Sequence, residues 1–155
     1  MRRKKDRAVE SVGRWGQLAH GRDAESHARG TLIYAPGQES QELLLLSGGQ
    51  VALYLLSPEG RVLTLRVVEA GQLFGQVAVA DGGAYDSFAG ALTPVRLYRI
   101  ARADVLQMID RDSTLGLALL EDLGQHRMIV SRLLEIDRST ITLVNWRGLE
   151  ELAQG

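Results

Sequence analysis

Val51-Ala52-Leu53-Tyr54-Leu55-Leu56-Ser57-Pro58-Glu59-Gly60-Arg61-Val62-Leu63-Thr64-Leu65-Arg66-Val67-Val68 reads as two strands around a turn. Proline fixes φ and lacks an amide donor, and glycine admits left-handed backbone, so Ser57-Pro58-Glu59-Gly60 ends any helix and reverses the chain. The run from Arg61 to Val68 alternates apolar and polar residues, as a strand with one buried face does. The same punctuation continues in both directions. Upstream, Thr31 to Tyr34 stops at Pro36-Gly37, and Leu43 to Leu46 stops at Ser47-Gly48-Gly49. Downstream, Glu69-Ala70-Gly71 closes the hairpin and Thr93-Pro94 opens a strand from Val95 to Ile100. Short strands at such close, regular spacing predict an antiparallel roll or barrel.

The flanks have a different period. From Ala8 to His20, Val9, Val12, Trp15 and Leu18 fall at helical spacing, so residues 8–29 are expected to form an N-terminal helical segment, although Gly13 and Gly16 weaken it. After Ala101, Val105, Met108 and Ile109 mark a short helix that ends the unit spanning 30–112. Asp112 or Ser113 is a suitable N-cap for a longer one, proline-free from Thr114 to Ile136 and assigned to 113–136. Along it Leu119, Leu123, His126, Val130 and Leu133 recur at steps of 4, 3, 4 and 3. That is a heptad seam. A helix following a closed roll buries such a seam on another copy of itself, or else on the roll of its own chain, and the expectation is a dimer.

Composition excludes several functions. The chain has 155 residues, 45% hydrophobic and 24% charged, ordinary for one soluble domain. No run approaches the roughly 18 apolar residues of a membrane span, and the basic N-terminus has no apolar stretch behind it, so the expectation is a cytoplasmic protein without signal peptide. The absence of cysteine removes disulfides, thiolate zinc sites, cysteine-ligated clusters and thiol catalysis. Net charge is -1, but Arg2, Arg3, Lys4, Lys5 and Arg7 against Asp6 put +4 on a basic tail at residues 1–7 and leave -5 on the rest. Such a body does not attract phosphate backbones; the tail is expected to be solvated, with at most weak nonspecific nucleic-acid contact.

Several of these segments, in this order, resemble the sensor domain of Crp/Fnr transcription regulators. They are Gly30-Thr31-Leu32-Ile33-Tyr34 with Pro36-Gly37; Leu44-Leu45-Leu46-Ser47-Gly48-Gly49-Gln50-Val51; and Glu59-Gly60-Arg61-Val62-Leu63-Thr64-Leu65. Gly71-Gln72-Leu73-Phe74-Gly75-Gln76 and Ala91-Leu92-Thr93-Pro94-Val95-Arg96-Leu97-Tyr98 complete the set. The resemblance implies a mainly β fold, an antiparallel jelly roll (double-stranded β-helix) of the cyclic-nucleotide-binding type, followed by a long C-terminal dimerisation helix. It also implies a ligand cassette at Phe74, Gly75, Gln76, Val77, Tyr85, Asp86 and Ser87. In nucleotide-binding members a glutamate holds the ribose and an arginine clamps the cyclic phosphate. Here Gln76 stands at the glutamate position, and the arginine position falls on Tyr85 or Asp86. No Arg or Lys occurs from Gly71 to Thr93, and an aspartate facing a phosphate repels it, so no cyclic nucleotide is expected.

The C-terminal part of the resemblance is truncated. Only 19 residues follow Ile136, whereas a helix-turn-helix needs roughly 20 before its wing. Ile141 to Leu152 look like the closing strand and helix of the family's winged domain, so 137–155 is expected to be a remnant without a DNA-recognition helix. No enzyme, metal site or cofactor is expected. His20 and His27 lie before the roll and His126 on the long helix, so no strand is expected to contribute an imidazole ligand, and Asp81, Asp86 and Ser87 lie in a Gly-rich loop without a histidine partner, so a nucleophilic triad is expected to lack its base. The predicted function is a Crp/Fnr-like sensor and dimerisation module, pairing with itself or with a related regulator through Leu119, Leu123, His126, Val130 and Leu133. It is predicted to make no sequence-specific DNA contact of its own. The alternative is a scaffold or protein-interaction paralogue without a regulatory ligand, with a cupin-type enzyme a distant third.

Overall fold

The computed structural model describes residues 13–39, 42–77 and 83–138, with side-chain surroundings up to Met128. Its strands in chain order are β1 Glu25–His27, β2 Leu32–Tyr34, β3 Glu42–Gly48, β4 Val51–Leu56, β5 Val62–Val68, β6 Leu73–Phe74, β7 Phe88–Ala91 and β8 Val95–Ala101. They form two four-stranded antiparallel sheets, ordered β1-β8-β3-β6 and β2-β7-β4-β5. The hairpin at Ser57-Pro58-Glu59-Gly60 is as the sequence suggests: Ser57 N donates to Arg61 O at 2.8 Å, and Arg61 N donates to Ser57 Oγ at 2.9 Å.

The two sheets enclose a core of Tyr34, Leu44, Leu46, Leu53, Leu55, Leu65, Phe74 and Leu97. A second cluster lies on the outer face of the first sheet. There Leu43, Leu45, Leu73, Tyr98 and Ile100 are covered by Trp15, Leu18, Val105 and Leu115 from the helices. This explains the unbroken run Leu43 to Leu46, every residue of which is at most 1% exposed: β3 has apolar matter on both faces and so shows no alternation. In contrast, β5 buries Leu65 and Val68 and exposes Val62 and Val67.

The N-terminal segment departs from expectation. Among the described residues it is a 3₁₀ turn, Gly13–Trp15, and one helical turn, α1 Gly16–Ala19, and then Gly21 at φ 74° breaks the helix. Residues 25–27, placed in a helical segment by the sequence reading, are strand β1, paired with β8 through Glu25↔Leu97 and His27↔Val95. Arg99 supports the pairing by an ion pair to Glu25 at 2.9 Å. The basic tail at 1–7, Val9 and Val12 lie outside the described residues, as do Asp81 and the segment Ile141 to Leu152.

After β8 come α2 Arg102–Arg111 and α3 Ser113–Arg138. Asp112 caps α3, its Oδ1 accepting from Thr114 N at 3.1 Å. No described helix is long and apolar enough to cross a membrane.

Candidate functional site

β6 delivers the cassette. Beyond Phe74 the backbone turns left-handed at Gly75, φ 74°, and becomes helical at Gln76 and Val77. A Cβ at Gly75 would lie 2.7 Å from Leu44 Cδ1 and 3.0 Å from Tyr85 Cε1, so the position requires glycine both for its φ and for space. Phe74, Gln76, Val77, Tyr85 and Ser87 are all buried. Tyr85 belongs to the cassette wall: its ring stacks on Tyr34 at 3.8 Å between centroids and 8° between planes, and Tyr34 stacks in turn near Phe74 at 6.1 Å. Tyr85 is thus occupied in the core, and Asp86 is the residue that turns toward the long helix.

Two side-chain bonds cross from this cassette to α3. Contrary to the expectation that Asp86 lacks a histidine partner, His126 Nε2 lies 2.9 Å from Asp86 Oδ2, brought there by the fold from 40 positions away, with side chains 3% and 10% exposed. Gln76 Nε2 donates to the Asp122 carboxylate. Asp122 and His126 stand one helical turn apart and present both partners from one face of α3. Burial, followed by the negative charge of Asp86, pushes the Tyr34 hydroxyl well above its ordinary value, with Arg66 a partial offset. Asp122 and Tyr34 were not singled out from the sequence; the i, i+4 spacing of Asp122 and His126 was the available signal for the first, while nothing in the sequence marks the stacking of Tyr34.

The heptad seam does not lie on one free surface. His126 is buried against the roll of its own chain, and Leu119 and Leu123 are half-buried beside α2. Leu117, Leu120 and Met128 are the open apolar positions, 62%, 66% and 56% exposed. The side chains of Val130 and Leu133 lie outside the described residues. No group of three or more His, Asp or Glu side chains suited to a metal occurs among the described residues.

The sequence matches the family model "cyclic nucleotide-binding domain" over residues 24–112, more than half of the chain. It is 42% identical to the transcriptional regulator LdrP of Thermus thermophilus over 66 residues, which take in 43% of this chain and 33% of that protein. It is 31% identical to the cyclic AMP receptor protein of the same species over 85 residues, 55% of this chain and 39% of the relative. The chain therefore aligns with a third to two fifths of the length of these relatives. The crystal structure of Thermus thermophilus catabolite activator protein superposes with a TM-score of 0.63 at 25% identity, covering 90% of this chain and 60% of that one. The family-model match begins one residue before β1 and runs through the cassette to Asp112. The chain belongs to the cyclic nucleotide-binding domain family.

Proposed function

We propose that this chain is the sensor and pairing module of a Crp-type regulator whose cassette is held shut by its own long helix and takes no cyclic nucleotide. The observation that carries this reading is the Asp86–His126 pair. A cyclic phosphate needs a cation or a fork of donors at its oxygens. Asp86 offers a carboxylate instead, already bonded to the helix, and Gln76 spends its amide on Asp122 rather than on a ribose hydroxyl. The same two bonds fix α3 on the roll, so the helix is presented in one orientation. Its outward apolar positions, Leu117, Leu120 and Met128, then form the surface for a second copy or a related regulator. Action on transcription is carried over from the relatives.

Calorimetric titration of the full chain with cyclic AMP and cyclic GMP at physiological salt tests the reading. No measurable heat is expected. Micromolar binding of either nucleotide would overturn it, because it would require the clasp to open and another group to hold the phosphate.

A further inference from the structure

Glycine is the default residue where backbone comes close to a bound molecule, and in this roll the space over Gly75 is already taken. A Cβ there would meet Tyr85 Cε1 at 3.0 Å and Tyr34 Cε2 at 3.5 Å, so the edges of two tyrosine rings stand where an occupant of the cassette would approach. The rings are 3.8 Å apart and 8° from parallel, the arrangement of a flat molecule laid on an aromatic face, and both residues are 3% exposed. Tyr85 is held from several directions. Its carbonyl accepts from Gly37 N at 2.9 Å, its N–H donates to Gln38 O at 3.2 Å, and its hydroxyl donates to Glu42 O at 3.3 Å. The next residue is Asp86, whose carboxylate meets His126 of α3. A ring fixed in the core and a carboxylate fixed on the helix are thus consecutive along one stretch of backbone.

We infer that Tyr85 is the cassette's built-in occupant and the residue that sets what the cassette accepts: its ring takes the place of a flat ligand on Tyr34 and keeps Asp86 aimed at α3. The inference rests on the reading of the cassette as closed by α3 and gives that closure a second cause. Exclusion of a ligand is then a matter of volume as well as charge. Protein interiors are close-packed, so a third ring has no room beside the two tyrosines. Removing the Tyr85 ring leaves a slot with one aromatic wall, Tyr34, and a carbonyl acceptor, Glu42 O, within reach of a hydroxyl. Such a slot fits a planar phenol. Leu55 provides the contrast: it is buried in the same core but pairs with Leu63 toward the Ser57-Pro58-Glu59-Gly60 hairpin, and its removal leaves the Tyr34–Tyr85 stack in place.

Hydrogen–deuterium exchange of the full chain, followed across residues 115–128 of α3, tests the inference. Tyr85→Ala is expected to speed exchange there roughly tenfold or more, because the emptied slot releases Asp86 and with it the local hold on the helix. The free molecule p-cresol has the shape of the tyrosine side chain; it is expected to bind this variant saturably and restore the protection. Its saturated counterpart 4-methylcyclohexanol keeps the hydroxyl but is not flat, and is expected to do so severalfold less well. Leu55→Ala is expected to lose stability without singling out 115–128 and without a response to p-cresol. Tyr85→Phe keeps the stack and is expected to match the wild type, whereas Tyr85→Leu keeps much of the volume without a flat ring, is expected to loosen α3, and decides the matter if the alanine variant does not fold. Unchanged exchange in Tyr85→Leu, no protection by p-cresol in a folded Tyr85→Ala, an equal response from Leu55→Ala, or saturable p-cresol binding by the wild type overturns the inference. Nucleotide titration of the wild type is the separate readout: binding there sinks the closed-cassette reading, while failure of p-cresol with a wild type silent toward nucleotides removes only the role of Tyr85.

Discussion

Asp86 and His126 stand 40 positions apart in the sequence and meet at 2.9 Å. Removing one partner leaves the other buried with an unmet hydrogen-bonding group. His126→Phe, which keeps an aromatic ring of similar bulk, is therefore expected to lower stability by about 1.5–3 kcal/mol, the range for a hydrogen bond to a charged group. Asp86→Ala added to it is expected to recover much of that loss, since the orphaned carboxylate goes too. Urea denaturation of the wild type, the two single variants and the double variant measures the coupling; additive losses would show that the pair contributes nothing as a pair. Glu25 supplies the pH-dependent counterpart. Burial opposes its ionisation most strongly, but hydrogen bonds and charge from Arg99 and His27 together outweigh burial and lower its carboxyl below the ordinary 4.5. A depressed folded pKa contributes stability that is present above the unfolded value and lost as pH falls through the folded one. Glu25→Gln is expected to flatten the acid limb of the stability curve below about pH 4.5 and leave its slope at neutral pH unchanged, as thermal melts across pH can show. The group is largely solvated, so the effect is modest.

Among the elements, α3 shows best what a sequence pattern can and cannot convey. Its existence and approximate length were legible from the shift to helical period and the lack of proline, and its cap was narrowed to Asp112 or Ser113, of which the structure uses Asp112. Which side faces outward was not. A step of 4, 3, 4, 3 marks a stripe without naming what covers it, and here His126 is buried against the roll while Leu119 and Leu123 are half-buried and line, with Leu120, a groove beside α2. The partly independent set Leu117, Leu120 and Met128 stays open. Each leucine left exposed forgoes about 1.5–3 kcal/mol of burial. Leu117→Glu is accordingly expected to convert a dimer into a monomer by light scattering while leaving the melting temperature of the monomer little changed. A wild-type monomer, or an unaltered dimer after the change, places pairing elsewhere. The strands divide along similar lines. β4 and β5 were legible because the Ser57-Pro58-Glu59-Gly60 turn separates runs of strand-forming residues. β1, β6 and β7 were not, because elements of 3, 2 and 4 residues hold too little periodicity to read and owe their existence to partners distant in sequence. The cassette was named through family resemblance alone, and its bonds to the long helix were not legible, since nothing local announces that Gln76 and Asp86 will find Asp122 and His126.

At the scale of the whole molecule, the chain enters the roll at β1 and leaves it at β8, and these two strands are hydrogen-bonded neighbours. Whatever precedes the roll and whatever follows it are thus brought to one side. The 3₁₀ turn and α1 place Trp15 and Leu18 there, and α2 and α3 place Val105 and Leu115 against the same outer face of the sheet. Arg22 reaches across to Asp104 and ties the incoming segment to the outgoing helix. The roll therefore behaves as a plug with both leads at one end: it can be fitted into a longer polypeptide without disturbing the opposite end, and any strain it develops is delivered to its neighbours through that single socket.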